Sequence, residues 1–141
     1  MSLTQYERDQ RKILIDKLLQ MPLGKVFREI KANEIFGYND IIKRPMDLET
    51  VKRHLINKKE YSSHRFKEEM RLIFDNCRQF NKDIPAYVNA ANELQKIYEK
   101  KYEKLAPTPR EKWLKDISNV ASKLKSATKQ LSREIKEHTN N

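Results

Sequence analysis

The sequence predicts an all-α fold, a bundle of four amphipathic helices over residues 1–105 followed by an extra C-terminal helical extension over 106–141. Three observations carry this reading. Only 2 Gly and 5 Pro occur in 141 residues, while Leu, Gln, Glu, Lys and Arg, which lose little rotamer freedom in a helix, are plentiful. Apolar residues recur at three- and four-residue steps in separate stretches, which gathers each set on one helix face. The length is that of one domain, so one core is expected.

The first helix is predicted over 3–20, with Leu3, Tyr6, Ile13, Leu14 and Leu18 as its inner face, and Met21-Pro22-Leu23-Gly24 stops it. From there to Pro45 no period is sustained, yet Val26, Phe27, Ile30, Ile35, Phe36, Tyr38, Ile41 and Ile42 are apolar or aromatic. So long an irregular stretch is uncommon in a small domain and usually functional. Its side chains predict a structured loop packed over one end of the bundle. Asp47 is placed as the N-cap of a second helix over 47–58, with Leu48, Val51 and Leu55 inward. Ser62 or Ser63 caps a third, whose stripe is Phe66, Met70, Ile73, Cys77 and Phe80. Asn81-Lys82-Asp83-Ile84-Pro85 is turn chemistry, and a fourth helix from about Ala86 carries Val88, Ala91, Leu94, Tyr98, Tyr102 and Leu105.

Thr108-Pro109-Arg110-Glu111 then reads as a capping box with Pro at the first helical position. The helix it starts has Leu114, Ile117, Ala121, Leu124, Thr128, Leu131 and Ile135 at alternating three- and four-residue steps, a heptad-like seam. That seam either folds back on the bundle or pairs with another chain, and Trp113 at its start is expected to dock on the bundle. No internal repeat or low-complexity segment is visible.

The single cysteine, Cys77, excludes an internal disulfide and a zinc site built from several thiolates, and fits a reducing compartment. No apolar run approaches the roughly 20 residues of a membrane span, and no charged-then-apolar leader is present, so a soluble chain, or a soluble piece of a longer one, is expected. His54, His64 and His138 have no metal-ligand spacing and are read as surface residues. No glycine-rich phosphate loop, His-Glu metal motif or nucleophile with an evident base is found, so neither enzymatic activity nor a cofactor is expected.

The formal charge of +10 attracts polyanions. Its basic residues are interspersed with acidic ones, and only +4 of it lies after residue 105, so it is not confined to one tail. A solvated helical surface and a contact with DNA or RNA both fit. Salt discriminates them, because binding to nucleic acid weakens steeply as salt is raised.

Two separated motifs narrow the fold. Tyr38-Asn39-Asp40-Ile41-Ile42-Lys43-Arg44-Pro45-Met46-Asp47-Leu48 and Phe74-Asp75-Asn76-Cys77-Arg78-Gln79-Phe80-Asn81, with Ala91 and Leu94 beyond, resemble the signatures of the bromodomain family. The resemblance spans roughly residues 3–105. It implies a left-handed four-helix bundle with helices Z, A, B and C and a long ZA loop, and a reader of acetyl-lysine on histone tails, nuclear, within a larger chromatin protein.

Residue by residue, the resemblance implies that the Asn81 amide donates to the acetyl carbonyl and that Tyr38 holds the same carbonyl through a water. Phe27 closes the shelf Lys25-Val26-Phe27, for which Met21-Pro22-Leu23 is the alternative, and Ile30 stands near the family's pocket valine. Ile35 and Phe36 fall among the loop residues lining the slot, Phe80 on its wall, Cys77 at a small position beside it and Tyr87 at the gatekeeper. Two departures stand out: the proline expected between Phe27 and Ile30 is absent, and Phe36-Gly37 replaces the frequent Pro-Asp. Asp40, Glu34 and Asp83 are candidates for an acidic rim that would draw in cationic tails. The chemistry stands without the resemblance: acetylation leaves a neutral amide, so a reader needs an apolar slot and one oriented donor.

Overall fold

The computed structural model describes residues 1–140. The chain separates into two compact units, one of Met1–Leu105 and one beginning at Ala106.

In the first unit the long helices are α1 (Gln5–Gln20), α4 (Leu48–Asn57), α5 (Ser63–Phe80) and α6 (Pro85–Glu103). They form a ring in which α1 packs on α4 and α6, and α5 packs on the same two. Between α1 and α4 the chain is not shapeless: it makes the short helices α2 (Pro22–Lys25) and α3 (Tyr38–Ile41), with a 3-10 turn at Ala32–Glu34 between them. These turns are too short to establish a period, which is why the pattern reads as loop.

Caps set the helix starts. Thr4 and Glu7 close a capping box on α1, Asp47 accepts from the Thr50 amide on α4, and Ser62, rather than Ser63, accepts from the Arg65 amide on α5. The core is continuous from Leu14, Ile15 and Leu18 through Leu48, Val51 and Leu55 to Phe66, Met70, Ile73, Phe74, Ala91 and Leu94. Each fully buried Leu, Ile, Val, Phe or Met contributes roughly 1.5–3 kcal/mol.

The inner face of α1 differs from the expectation. Ile13 is 48% exposed and Tyr6 only half-buried, while Arg8 and Arg11 are buried with Leu14, Ile15, Leu18 and Leu19. Counting apolar residues alone misplaces this face, because two arginines carry its first half. Arg8 donates to the carbonyls of Leu3 (3.3 Å), Leu55 (2.9 Å), Lys58 (2.8 Å) and Lys59 (3.2 Å), so its guanidinium caps the carbonyl end of α4. Arg11 donates to the Ser63 and Tyr102 hydroxyls, and its guanidinium lies over the Phe66 and Tyr102 rings at 5.6 and 5.5 Å.

His54 is a second correction. Its Nδ1 lies 2.9 Å from the carboxylate of Glu69, which is only 1% exposed and also accepts from the Tyr61 hydroxyl and from Arg65 Nε at 3.1 Å. A buried carboxylate needs several donors, and a histidine one turn from the end of α4 supplies one. His64 and His138 are exposed.

Gly24 is buried where α2 turns back on α1, and a Cβ there would fall 1.7 Å from the Leu18 carbonyl oxygen. Gly37 takes φ 73° ahead of α3, the left-handed region that only glycine enters freely, so it defines this turn.

In the second unit Thr108 accepts from the Glu111 amide and starts α7 (Pro109–Thr139). None of its residues is buried, and Trp113 is 59% exposed. No helix among the described residues is long and apolar enough to cross a membrane.

Replacing Arg8 with Met keeps the apolar stem and strands four carbonyls. Urea unfolding should show stability lowered by about 2–4 kcal/mol with an unchanged slope.

Candidate functional site

At one end of the bundle lies a cavity of about 610 Å³ between the segment joining α1 to α4 and the carboxyl end of α5. The joining segment supplies Val26, Phe27, Glu29, Ile30, Lys31, Ile35, Tyr38 and Met46; α5 supplies Ile73, Cys77 and Phe80, followed by its C-cap Asn81; Ile84 and Tyr87 complete the wall at the start of α6.

The joining segment is tied down at both ends. Asp47 Oδ1 accepts from the Thr50 amide at 2.7 Å and Oδ2 from the Ile30 amide at 3.0 Å. The Leu48 and Glu49 amides donate back to the Phe27 and Arg28 carbonyls at 3.0 and 3.1 Å. These amides belong to the first turn of α4, where N–H groups have no helical partner, so the Phe27–Ile30 strip caps the helix while the helix holds the strip. Farther along, Asn76, buried in α5, donates to the Arg44 carbonyl at 2.8 Å, and Gln79 donates to the Ile41 carbonyl at 3.3 Å.

Asn81 ends α5 because its backbone leaves helical geometry there, at φ −105° and ψ 27°. Its side-chain Nδ2 donates to the Cys77 carbonyl at 3.0 Å, the same oxygen that accepts the Asn81 backbone N–H at 3.0 Å. Nδ2 also lies 3.8 Å from Cys77 Sγ, a weak acceptor, so the side chain is oriented on Cys77 by both contacts, while Oδ1 and the hydrogen facing the sulfur can serve a stronger partner. Tyr38 is buried, with its ring 4.8 Å from that of Phe80. Burial pushes its hydroxyl above the ordinary tyrosine range, keeping it a neutral donor, and no partner for it is found among the described residues. The site therefore presents a mostly apolar slot with two neutral polar groups inside, an arrangement that accepts a neutral carbonyl; the charged members of its lining, Glu29 and Lys31, are exposed and of opposite sign.

Eight of the nine residues singled out from the sequence line this cavity: Asn81, Tyr38, Phe27, Ile30, Ile35, Phe80, Tyr87 and Cys77. Phe36 does not. It is fully exposed, because the chain enters the Gly37 turn directly after Ile35, and that reversal leaves the Phe36 side chain in solvent. Between the two shelf candidates, Val26 and Phe27 line the cavity, whereas Met21 and Leu23 pack against the core. Asp40, Glu34 and Asp83 are exposed but outside the lining, whose charged members are Glu29 and Lys31.

Sequence reasoning passed over Met46, Ile73 and Ile84 as site residues. Ile84 had a signal: an apolar residue in an otherwise polar turn, at the N-cap of a helix begun by Pro85. A second cavity, of about 250 Å³, lies between α5 and α6 with Lys67, Arg71, Glu99 and Glu103 in its lining. It gathers none of the singled-out side chains. No cluster of three or more His, Cys, Asp or Glu fit to hold a metal occurs among the described residues.

A family model described as Bromodomain matches residues 11–93. The chain is 39% identical over 89 residues to a protein of Debaryomyces hansenii named histone acetyltransferase GCN5, a match covering 62% of this chain and 20% of that protein. To a bromodomain-containing protein of Dictyostelium discoideum it is 32% identical over 111 residues, 75% of this chain and 7% of the relative. The chain thus spans a fifth or less of the length of these curated relatives. Among solved structures, that of CpBRD2 from cryptosporidium superposes with a TM-score of 0.64 at 30% identity, covering 75% of this chain and 98% of the other. The bromodomain of human BAZ1A gives 0.62 at 21% identity, covering 67% and 90%, and this likeness shows the fold alone.

Burial raises the Cys77 thiol above the ordinary cysteine range, against smaller lowering effects of the Asn81 hydrogen bond and Arg78. Because the thiolate is the reactive form, iodoacetamide at neutral pH should label Cys77 on the order of tenfold more slowly in the folded chain than in urea, measured by mass spectrometry.

Proposed function

The chain belongs to the bromodomain family, and from that membership we propose that it is an acetyl-lysine recognition module that binds acetylated histone tails. The observation that carries this reading is the Asn81 amide, oriented at the cavity wall by the Cys77 carbonyl, with its other hydrogen facing no acceptor stronger than the Cys77 sulfur. An acetyl carbonyl accepts that hydrogen, and the Tyr38 hydroxyl supplies a second, water-bridged hold on the same oxygen. Ile30, Ile35 and Phe80 receive the methyl group and the lysine stem, and Tyr87 flanks the entrance. Acetylation removes the charge that the slot rejects, so discrimination rests as much on the cost of burying an ammonium as on the hydrogen bond.

The histone context is supported by the likeness to a protein named as a histone acetyltransferase, and with it a nuclear, chromatin-bound setting within a larger protein. We read the chain as a binding module without chemistry or cofactor of its own. Histone tails are cationic, and a chain of net charge +10 steers them poorly. Nucleosomal DNA, contacted by the basic surface while the slot holds the acetyl group, supplies the attraction that the tail does not.

Titration against paired acetylated and unacetylated histone-tail peptides tests this. Binding should require the acetyl group, change little with salt, and fall at least about tenfold in Asn81→Ala, the loss of one buried hydrogen bond. Tyr38→Phe should weaken it less. Equal binding of both peptide forms, or an unaffected Asn81→Ala, would remove the assignment while leaving the fold.

A further inference from the structure

We propose that α7 is a self-association element whose apolar seam pairs with the same seam of a second copy of this chain. The observation is an amphipathic helix of 31 residues, Pro109–Thr139, with no buried residue. Leu114, Ile117, Leu124, Leu131 and Ile135 are each close to or above half exposed. They fall at the first and fourth positions of successive heptads, with Ala121 and Thr128 completing the series. Val120 and Trp113, also exposed, widen the stripe on one side. A solvent-facing apolar stripe of this length is far from the scattered single residues that a monomer's surface carries. The seven-residue repeat supercoils helices against one another, since it keeps the seam facing its partner.

Charge placement selects the occupant. Coiled-coil partners of different sequence are chosen by opposite charges flanking the seam. Here the flanking positions are Trp113, Ser118, Val120, Lys125, Ala127, Ser132 and Glu134, with Lys125 and Glu134 the two charges among them, one of each sign. The basic residues Lys123, Lys129, Arg133 and Lys136 sit away from the seam, so the +4 of this segment is carried on the outer face and does not oppose self-pairing. A seam whose flanks carry no net charge has its own copy as complement, the self-matching patch that a two-fold dimer uses. From Trp113 to His138 it runs about 38 Å at 1.5 Å per residue, so pairing buries on the order of 1,000 Å², the size at which a specific interface begins.

The test is the mass of the full chain by sedimentation equilibrium across concentrations reaching the high micromolar range, with helicity followed by circular dichroism. Twice the 16.9 kDa chain mass is expected, reverting to one chain in Leu124→Glu and Leu131→Glu and persisting in Lys123→Glu on the outer face. A single-chain mass at every concentration overturns the proposal, whether another segment of the chain or a different protein covers the seam. So does a mass of three or more chains, or a doubled mass that survives Leu124→Glu.

Discussion

The cavity depends on one carboxylate that serves two segments at once. Asp47 takes the Thr50 amide on one oxygen and the Ile30 amide on the other, so the start of α4 and the floor of the preceding loop cannot move independently. Without it, the strip from Val26 to Ile30 would be tied to α4 by the Leu48 and Glu49 amides alone. With it, and with Asn76 and Gln79 holding the Arg44 and Ile41 carbonyls from α5, the long connection is fixed where it enters and where it leaves. A slot whose wall exists before the ligand arrives does not spend binding energy on ordering a loop.

The same device recurs across the bundle. Apolar burial is non-directional and would tolerate small slides between helices. Arg8, Arg11 and Glu69 do not. Arg8 reads the carbonyl end of α4, Arg11 lies over the Phe66 and Tyr102 rings, and Glu69 gathers His54 from α4 with Tyr61 and Arg65. Arg8 is satisfied by main-chain carbonyls and a hydroxyl rather than a carboxylate, so its place is fixed by the backbone geometry of α4 and not by a mobile counter-ion. Register between α1, α4 and α5 follows from these contacts, and register is what sets Asn81 opposite Tyr38.

What could be read in the sequence follows from which forces leave periodic traces. The α4 stripe of Leu48, Val51 and Leu55 and the α5 stripe through Phe66, Met70 and Ile73 were legible because burial of apolar residues repeats with the helix, and the caps at Asp47 and Thr108 because their chemistry is local. The face of α1 was not, since buried arginines look like surface residues until their carbonyl partners, some fifty residues away, are known. His54 was missed for the same reason. The short helices of the connection were hidden because four residues make no period, and the outward turn of Phe36 because the effect of a left-handed Gly37 on its neighbour depends on the packing of both. Asn81 and Tyr38 were singled out through the two motifs and line one cavity, while Ile84, whose signal was an apolar residue in a polar turn, lies outside both motifs.

The central claim is that an acetyl amide is held by the Asn81 side-chain amide inside this cavity. Nitrogen–proton correlation NMR of the chain, titrated with a short peptide bearing one acetyl-lysine, tests it most directly. The Asn81 side-chain NH₂ signals should shift saturably, one hydrogen far more than the other, together with the backbone signals of Ile30, Ile35 and Tyr87, while the unacetylated peptide leaves them in place. Shifts that spare the Asn81 side chain, or that cluster away from the cavity, would contradict the account.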